Sequence, residues 1–469
     1  MGASVAVELV ICAWILLMLA ADLLMPAAGK SSLWMVALAG VAIAATLLVL
    51  QPQPATPQVL FGTWLVDPFA RLFKLLFLIT AGVVIIMTRS LDTFRHLGAF
   101  YLLLLTALLG MLTLSSMNDL LLLFLGLELL TFSLYIMASY VKTDARSVEA
   151  GMKYLILGSV SSGFLVYGIA LLYGFAGGTS FPAVHAALQR GEVPLTAQAG
   201  LLLILAGLGF KVAAVPFHLW VPDVYEGAPT PVVALLSVGS KMAGMVALLR
   251  VLYGVGLPLQ ALWGTVVALL SAATMLYGNL AAIPQTNIKR LLGYSSIGHA
   301  GYLLMGLSTA SALGAVSVGY YLVAYLFSNL SVFLVIVIAS HRLGGDTLAH
   351  YHGLSRRSPL LAAALFIGLL SLAGVPPLAG FAGKLFVLLA TVESRRLWLV
   401  GIGAVNVAIS LYYYLMVVKR MYLDPPLSPS PISVDGFTTV VLAVLLLGIF
   451  AIGIVQQPFL RAITSAMRW

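Results

Sequence analysis

Apolar residues run along this chain in long stretches, separated by short polar, proline or glycine segments, from one end to the other. Fourteen stretches can be drawn, near residues 4–23, 32–50, 68–88, 98–115, 118–138, 151–174, 198–219, 230–253, 258–280, 288–308, 311–340, 358–390, 396–418 and 436–458. Each is about 18 residues or longer, enough to cross a hydrocarbon core of roughly 30 Å as a helix. The pattern predicts an all-α integral membrane protein of about fourteen transmembrane helices, not a barrel. The first stretch, in MGASVAVELVICAWILLMLAADLLMP, has no basic leader and carries Glu8, so it is expected to be a retained helix rather than a cleaved signal.

Composition agrees: hydrophobic residues make up 62% of the chain, charged residues 8%, and the mean hydropathy is +1.09. No separate soluble domain is expected. The single cysteine, Cys12, excludes intrachain disulfides and cysteine-ligated clusters, and nothing has the spacing of a haem, zinc or nucleotide site. No metal or cofactor is expected on this chain, and any redox chemistry belongs to another subunit.

The net charge of +9 is explained by topology, with no need for nucleic acid as a partner. With the N-terminus outside, thirteen basic residues fall on the inner side: Lys30, Arg89, Arg95, Lys142, Arg146, Lys153, Lys289, Arg290, Arg342, Arg356, Arg357, Lys419 and Arg420. Six fall outside: Arg190, Arg250, Arg395, Arg396, Arg461 and Arg468. The excess of inner Lys and Arg predicts both termini on the outer side. Five basic residues remain inside the stretches: Arg71, Lys74, Lys211, Lys241 and Lys384. Arg71 and Lys74 follow a span start at Asp67–Pro68 and read as side chains snorkelling to the interface.

The other three lie deep, as does Glu128 in DLLLLFLGLELLTFSLYIM. A charge at the centre of a lone helix costs about 2.5 to 3.5 kcal/mol, so such residues face a bundle interior or water. One buried pair between Glu128 and a lysine would account for packing but leave two lysines over. Burial disfavours an ammonium and a nearby carboxylate favours it. A lysine whose carboxylate neighbour approaches or withdraws can therefore take up and release a proton. Two of the lysines sit beside helix breakers. Pro216 follows Lys211 in FKVAAVPFHLWVPDVYEGAPTP and should break the seventh span one turn past the lysine, freeing the carbonyl of Val212. Pro376 and Pro377 free the carbonyls of Leu372 and Ala373 two turns before Lys384 in the twelfth. Two interrupted spans, each with a lysine, mark a transporter built from two structural repeats, and bare half-helix ends attract water and cations. His218, His299 and the loop residues Asp223 and Glu226 are weaker candidates: His299 lies among Ser295, Ser296 and Tyr302, which could hold water, and the two acids could end a helix or gate the inner surface.

The segments GFKVAAVPFHLWVPDVYEGAPTPVVALLSVGSKMAG, GNLAAIPQTNIKRLLGYSSIGHAGYLLMG and KYLILGSVSSGFLVYGIALLYG strongly resemble the antiporter-like membrane subunits of respiratory complex I, NADH-quinone oxidoreductase, over almost the whole chain. The resemblance implies two inverted five-helix repeats with broken helices 7 and 12: residues 1–97 as an N-terminal three-helix segment, 98–257 and 258–422 as the repeats, and 423–469 with the last span. It implies proton translocation through Glu128, Lys211, Lys241 and Lys384, with Lys153, His218, Asp223 and His299 as accessory polar residues. Lysine at 384, where subunit M carries glutamate, and an end soon after the last span, where subunit L continues, favour the subunit N branch. NADH, FMN, iron–sulfur clusters and quinone are then held by other subunits, the partners are neighbouring membrane subunits, and the location is the bacterial inner membrane. Two alternatives share these features: a subunit of a related multisubunit cation/proton antiporter or membrane-bound hydrogenase, and a purely structural membrane subunit.

Overall fold

The computed structural model describes residues 5–52, 56–89, 96–426 and 430–467. Arg95 and Arg468, counted above for topology, lie outside the described residues. The chain is almost wholly helical. Among the described residues, twelve helices are long and apolar enough to cross a membrane. The other two expected spans are also present. One is a helix rich in Gly and Ser, Ile288–Ser308, and the other is a pair of half-helices, Pro359–Ala373 and Ala379–Glu393.

Two compact units divide the chain: Met1–Val212 with Gly227–Trp263 and Ser465–Trp469, and Ala213–Glu226 with Gly264–Thr464. The first begins with α1 (Ala6–Leu24) and α2 (Leu33–Leu50), followed by a short hairpin of β1 (Gln58–Leu60) and β2 (Trp64–Val66). Three residues, 61–63, turn the hairpin, and Phe61 and Gly62 take the left-handed region there with φ of 53° and 74°. Then come α3 (Pro68–Thr88), α4 (Leu97–Ser116), α5 (Leu120–Ala138), α6 (Ala145–Ala176), α7 (Phe181–Gln189) and α8 (Leu195–Val212). After the stretch assigned to the second unit, α10 (Thr230–Leu235) runs through a π-helical turn, Leu236–Ser240, into α11 (Lys241–Gly254). Aspartates end the spans for a local reason. The side chain of Asp67 caps α3 by accepting from the Ala70 N–H at 2.8 Å, Asp119 caps α5 and Asp144 caps α6.

The second unit contains most of α9 (Val221–Gly227) and of α12 (Gln260–Ala282), α13 (Ile288–Ser308) and the 32-residue α14 (Ala312–Leu343). It continues through α15 (Leu354–Arg357), the half-helices α16 (Pro359–Ala373) and α17 (Ala379–Glu393), α18 (Leu397–Tyr422), α19 (Gly436–Ile454) and most of α20 (Gln456–Ala466). Buried α14 packs against α16, α17 and α19 and forms the middle of this unit. The gap between α16 and α17 is tightly built. Gly374 leaves α16 with φ +88°, the Gly380 N–H donates to Ser371 Oγ at 3.1 Å, and a Cβ on Gly380 would sit 1.8 Å from the Ser371 carbonyl oxygen.

Several expectations are corrected. The break in the seventh span comes one residue past Lys211, not one turn. α8 stops at Val212, Ala213 takes φ +65°, and helix resumes only at Val221. Pro216 disfavours helical geometry at Val215 as well as removing a hydrogen bond, so unwinding reaches further back. The Val215 N–H left over donates to Thr274 Oγ1 at 3.0 Å. Both breaks contain a cis prolyl bond, Val215–Pro216 and Pro376–Pro377. Asp223 and Glu226 lie on the short helix α9 rather than in a loop. Lys153 sits inside α6, which starts at Ala145 rather than near 151.

Arg250, counted with the outer segments, is buried in α11, which leaves thirteen inner against five outer basic residues. Lys74 does not snorkel: its Nζ is 2.7 Å from Glu8 Oε1, and both side chains are buried. Arg71 instead donates to the last carbonyls of α2, at Val49 and Gln51. The short amphipathic pieces α7 and α20 and the hairpin lie outside the fourteen stretches, because none is long or apolar enough to register as a span.

Candidate functional site

In the first unit, Glu128 sits on α5, where Ser162 Oγ of α6 donates to its Oε1 at 2.5 Å. One turn on, Thr131 faces the same side. Its hydroxyl accepts from Lys211 Nζ at 3.0 Å, and Tyr154 Oη of α6 accepts from the same ammonium at 3.3 Å. Lys211 is thus buried and bonded to two hydroxyls rather than ion-paired. The ion pair that could have explained Glu128 as packing alone is not formed with Lys211. Hydroxyls both donate and accept, so a Lys211 amine could remain hydrogen-bonded in either protonation state.

Lys241 is buried at the start of α11, directly after the π-helical turn, a distortion often found where a helix carries function. Gly244, one turn later, faces Lys211. A Cβ there would stand 3.2 Å from Lys211 Cγ, so the missing side chain leaves room for the Lys211 stem. Lys153, by contrast, is half-exposed and pairs with Glu149 at 2.7 Å along α6, away from the hydroxyls that hold Lys211. The first unit also holds a charge pair that spacing did not suggest: Arg250 grips both oxygens of Asp67 at 2.7 Å, donates to the Ser115 carbonyl, and lies 4.2 Å over the Phe69 ring.

In the second unit, Lys384 of α17 donates to the carbonyl of Ala373 at 2.8 Å. That carbonyl is one of the two the sequence identified as freed by Pro376 and Pro377. Ser410 Oγ lies 3.5 Å from the same Nζ, and the Tyr302 ring face lies 5.0 Å away. The bare end of a half-helix here takes a cation, as its partial negative charge favours. His299 lies on α13 with Tyr321 Oη 2.6 Å from Nδ1 and Tyr414 Oη 3.1 Å from Nε2, and Tyr414 also bonds Ser295. Tyr302, expected near His299 as a water holder, instead donates to the Gly403 carbonyl at 2.8 Å. His218 is buried against Tyr277, with ring centroids 4.3 Å apart, and neither ring nitrogen has a well-formed hydrogen bond. Asp223 and Glu226 both accept from Arg290 Nη1, at 2.8 and 3.0 Å, while Tyr225 between them bonds Ser296.

Among the described residues no group of three or more His, Cys, Asp or Glu is placed to hold a metal ion. The hydroxyl partners Thr131, Tyr154, Ser162 and Ser410 and the tyrosines around His299 were not singled out from the sequence. Thr131 alone carried a signal, its three-residue spacing from Glu128.

The family model for NADH:quinone oxidoreductase/Mrp antiporter transmembrane proteins matches residues 117–410. That interval contains Glu128, Lys211, Lys241, Lys384 and both breaks. The chain belongs to this family. Among its relatives, NADH-quinone oxidoreductase subunit N of Moorella thermoacetica is 42% identical over 468 residues, 98% of this chain and 97% of that one. Subunit N of Heliobacterium modesticaldum is 43% identical over 411 residues, 86% of each. A chain in respiratory complex I from Thermus thermophilus with bound Aureothin superposes with a TM-score of 0.84 at 32% identity, covering 98% of this chain and 99% of that chain. A chain of the Mrp complex from Dietzia sp. DQ12-45-1b shares the fold, with a TM-score of 0.86 at 19% identity and coverage of 100% and 97%.

Proposed function

We propose that this chain is the proton-translocating subunit N of a bacterial NADH-quinone oxidoreductase, embedded in the inner membrane beside other membrane subunits. Electron transfer from NADH to quinone, with its flavin and iron–sulfur centres, takes place on those other subunits. The observation that carries the reading is the pairing of each helix break with a buried lysine. Lys211 is the penultimate residue of α8, and Lys384 bonds the carbonyl released at the end of α16. Packing alone requires breaks but not lysines at them.

In this reading residues 98–257 and 258–422 are inverted repeats, and the path is shared among four groups. Glu128 modulates Lys211 through the α5 face that also carries Thr131. Lys241 relays, and Lys384 exchanges protons with the outer side. His218, Asp223 and His299 line the route, whereas the exposed pairing of Lys153 with Glu149 makes it a peripheral member. Identity above 40% along nearly the full length of a subunit N relative favours this branch over the cation/proton antiporters, whose likeness at 19% identity is one of fold.

Lys211→Met keeps the length and apolar stem of the side chain and removes its exchangeable protons. In inverted vesicles containing the assembled complex, quinone-coupled acidification should fall about a hundredfold or more, the scale on which a positioned acid–base group acts. Normal acidification by an assembled Lys211→Met complex would refute the proposal and favour a purely structural subunit.

A further inference from the structure

Four buried side chains of the second unit form an unbroken hydrogen-bonded chain: Ser295 Oγ to Tyr414 Oη, Tyr414 Oη to His299 Nε2 at 3.1 Å, and His299 Nδ1 to Tyr321 Oη at 2.6 Å. His299 is 5% exposed and the other three 2% or less. They come from three helices, α13, α14 and α18. The chain runs beside Lys384. The Tyr321 ring packs on Gly383, where a Cβ would lie 2.7 Å from Cδ2, and Ser410, 3.5 Å from Lys384 Nζ, is one turn from Tyr414 on α18.

A neutral imidazole has one N–H and one bare nitrogen, and each hydroxyl has one proton to give. The chain can therefore be satisfied in two directions. In one, Ser295 donates to Tyr414, Tyr414 to Nε2, and Nδ1–H to Tyr321. In the other, every donor is reversed. A backbone carbonyl on either ring nitrogen would lock one tautomer. Two hydroxyls do not, because each can either donate or accept.

We propose that Tyr321 and Tyr414 are proton-relay residues that pass protons through His299 by reversing this chain, a reading that rests on the proton-translocating role proposed above. A proton arriving on Ser295 Oγ sends that hydroxyl's own proton to Tyr414, and the Tyr414 proton goes to Nε2. The proton on Nδ1 moves to Tyr321, and the Tyr321 proton leaves to a water molecule. One proton enters, one leaves, no net charge stays on the chain, and its direction is reversed.

The test uses Tyr321→Phe, Tyr414→Phe and the double variant in the assembled complex, with acidification of inverted vesicles and quinone reduction as readouts. Each single variant should slow acidification about a hundredfold, and the double variant should be no slower than either single one, because one gap already interrupts a serial chain. Losses that multiply in the double variant would indicate independent packing roles and overturn the proposal, as would two single variants that pump normally. If Tyr414→Phe fails to assemble, Ser295→Ala and Tyr321→Phe at the two ends carry the same comparison. Tyr320→Phe is the control: its hydroxyl donates to the Ile452 carbonyl, off the chain, so pumping should persist. Lys384→Met separates the two ideas. If it pumps normally the translocation reading itself fails, whereas loss there with normal Tyr→Phe variants refutes only the relay.

Discussion

Buried charged side chains in this protein are placed in two physically different ways. Arg250 and Asp67 form a closed pair: the carboxylate is bidentate and the remaining guanidinium donors go to the Ser115 carbonyl, so little is left for proton exchange. Glu8 and Lys74 also meet as a buried pair. Lys211 and Lys384 instead rest on hydroxyls and a freed carbonyl, partners that keep the chemistry open. The closed pair yields a stability prediction. Asp67→Asn retains the cap on α3, because asparagine caps as well as aspartate, and removes only the charge opposite Arg250. Leaving a buried guanidinium uncompensated should cost about 3 to 5 kcal/mol, while Asp67→Leu with Arg250→Met should recover most of it. Thermal unfolding of the two variants in detergent would measure the difference. A midpoint for Asp67→Asn equal to wild type would show that the pair is dispensable.

At the scale of elements, the two breaks are held by local hydrogen bonds, through Val215 N–H to Thr274 at one and Gly380 N–H to Ser371 at the other. The helix that follows the first break, α9, has seven residues, too few to be stable alone. Its acidic pair on Arg290 and its Tyr225–Ser296 bond tie it to α13. The charges are about one-third exposed, so each bond contributes roughly 1 kcal/mol or less. Arg290→Gln should therefore leave the global thermal midpoint almost unchanged while hydrogen exchange of amides 223–227 accelerates several-fold. Unchanged exchange there would mean that Arg290 does not hold α9. The sequence made the breaks legible because proline and lysine are conspicuous in apolar runs. It did not make α9 legible, since seven residues with two prolines nearby read as a turn. Arg250 was misread because it stands near the junction of two apolar runs, and Lys74 because a lysine near a span start has an interface within reach. The hydroxyls around Lys211 and His299 were hidden for another reason: Ser, Thr and Tyr are common in spans, and which of them meet is decided by packing between helices far apart in sequence.

For the whole molecule, orientation decides which end of the path takes protons up and which releases them. The basic residues predict it: with Arg250 buried in a closed pair, thirteen inner stand against five outer. With the N-terminus outside, the β1–β2 hairpin projects on the outer side and the turn between α5 and α6 on the inner side. Phe61 at the hairpin tip is 82% exposed, and Thr143 in the α5–α6 turn is exposed as well. The single native cysteine makes the test clean. In a Cys12→Ala background, a cysteine placed at position 61 should react with a membrane-impermeant maleimide in intact cells, whereas one placed at 143 should react only after the membrane is opened. The opposite pattern would invert the protein in the membrane. Lys384 would then exchange protons with the inner side, and the direction assigned to the four-residue path would have to be reversed.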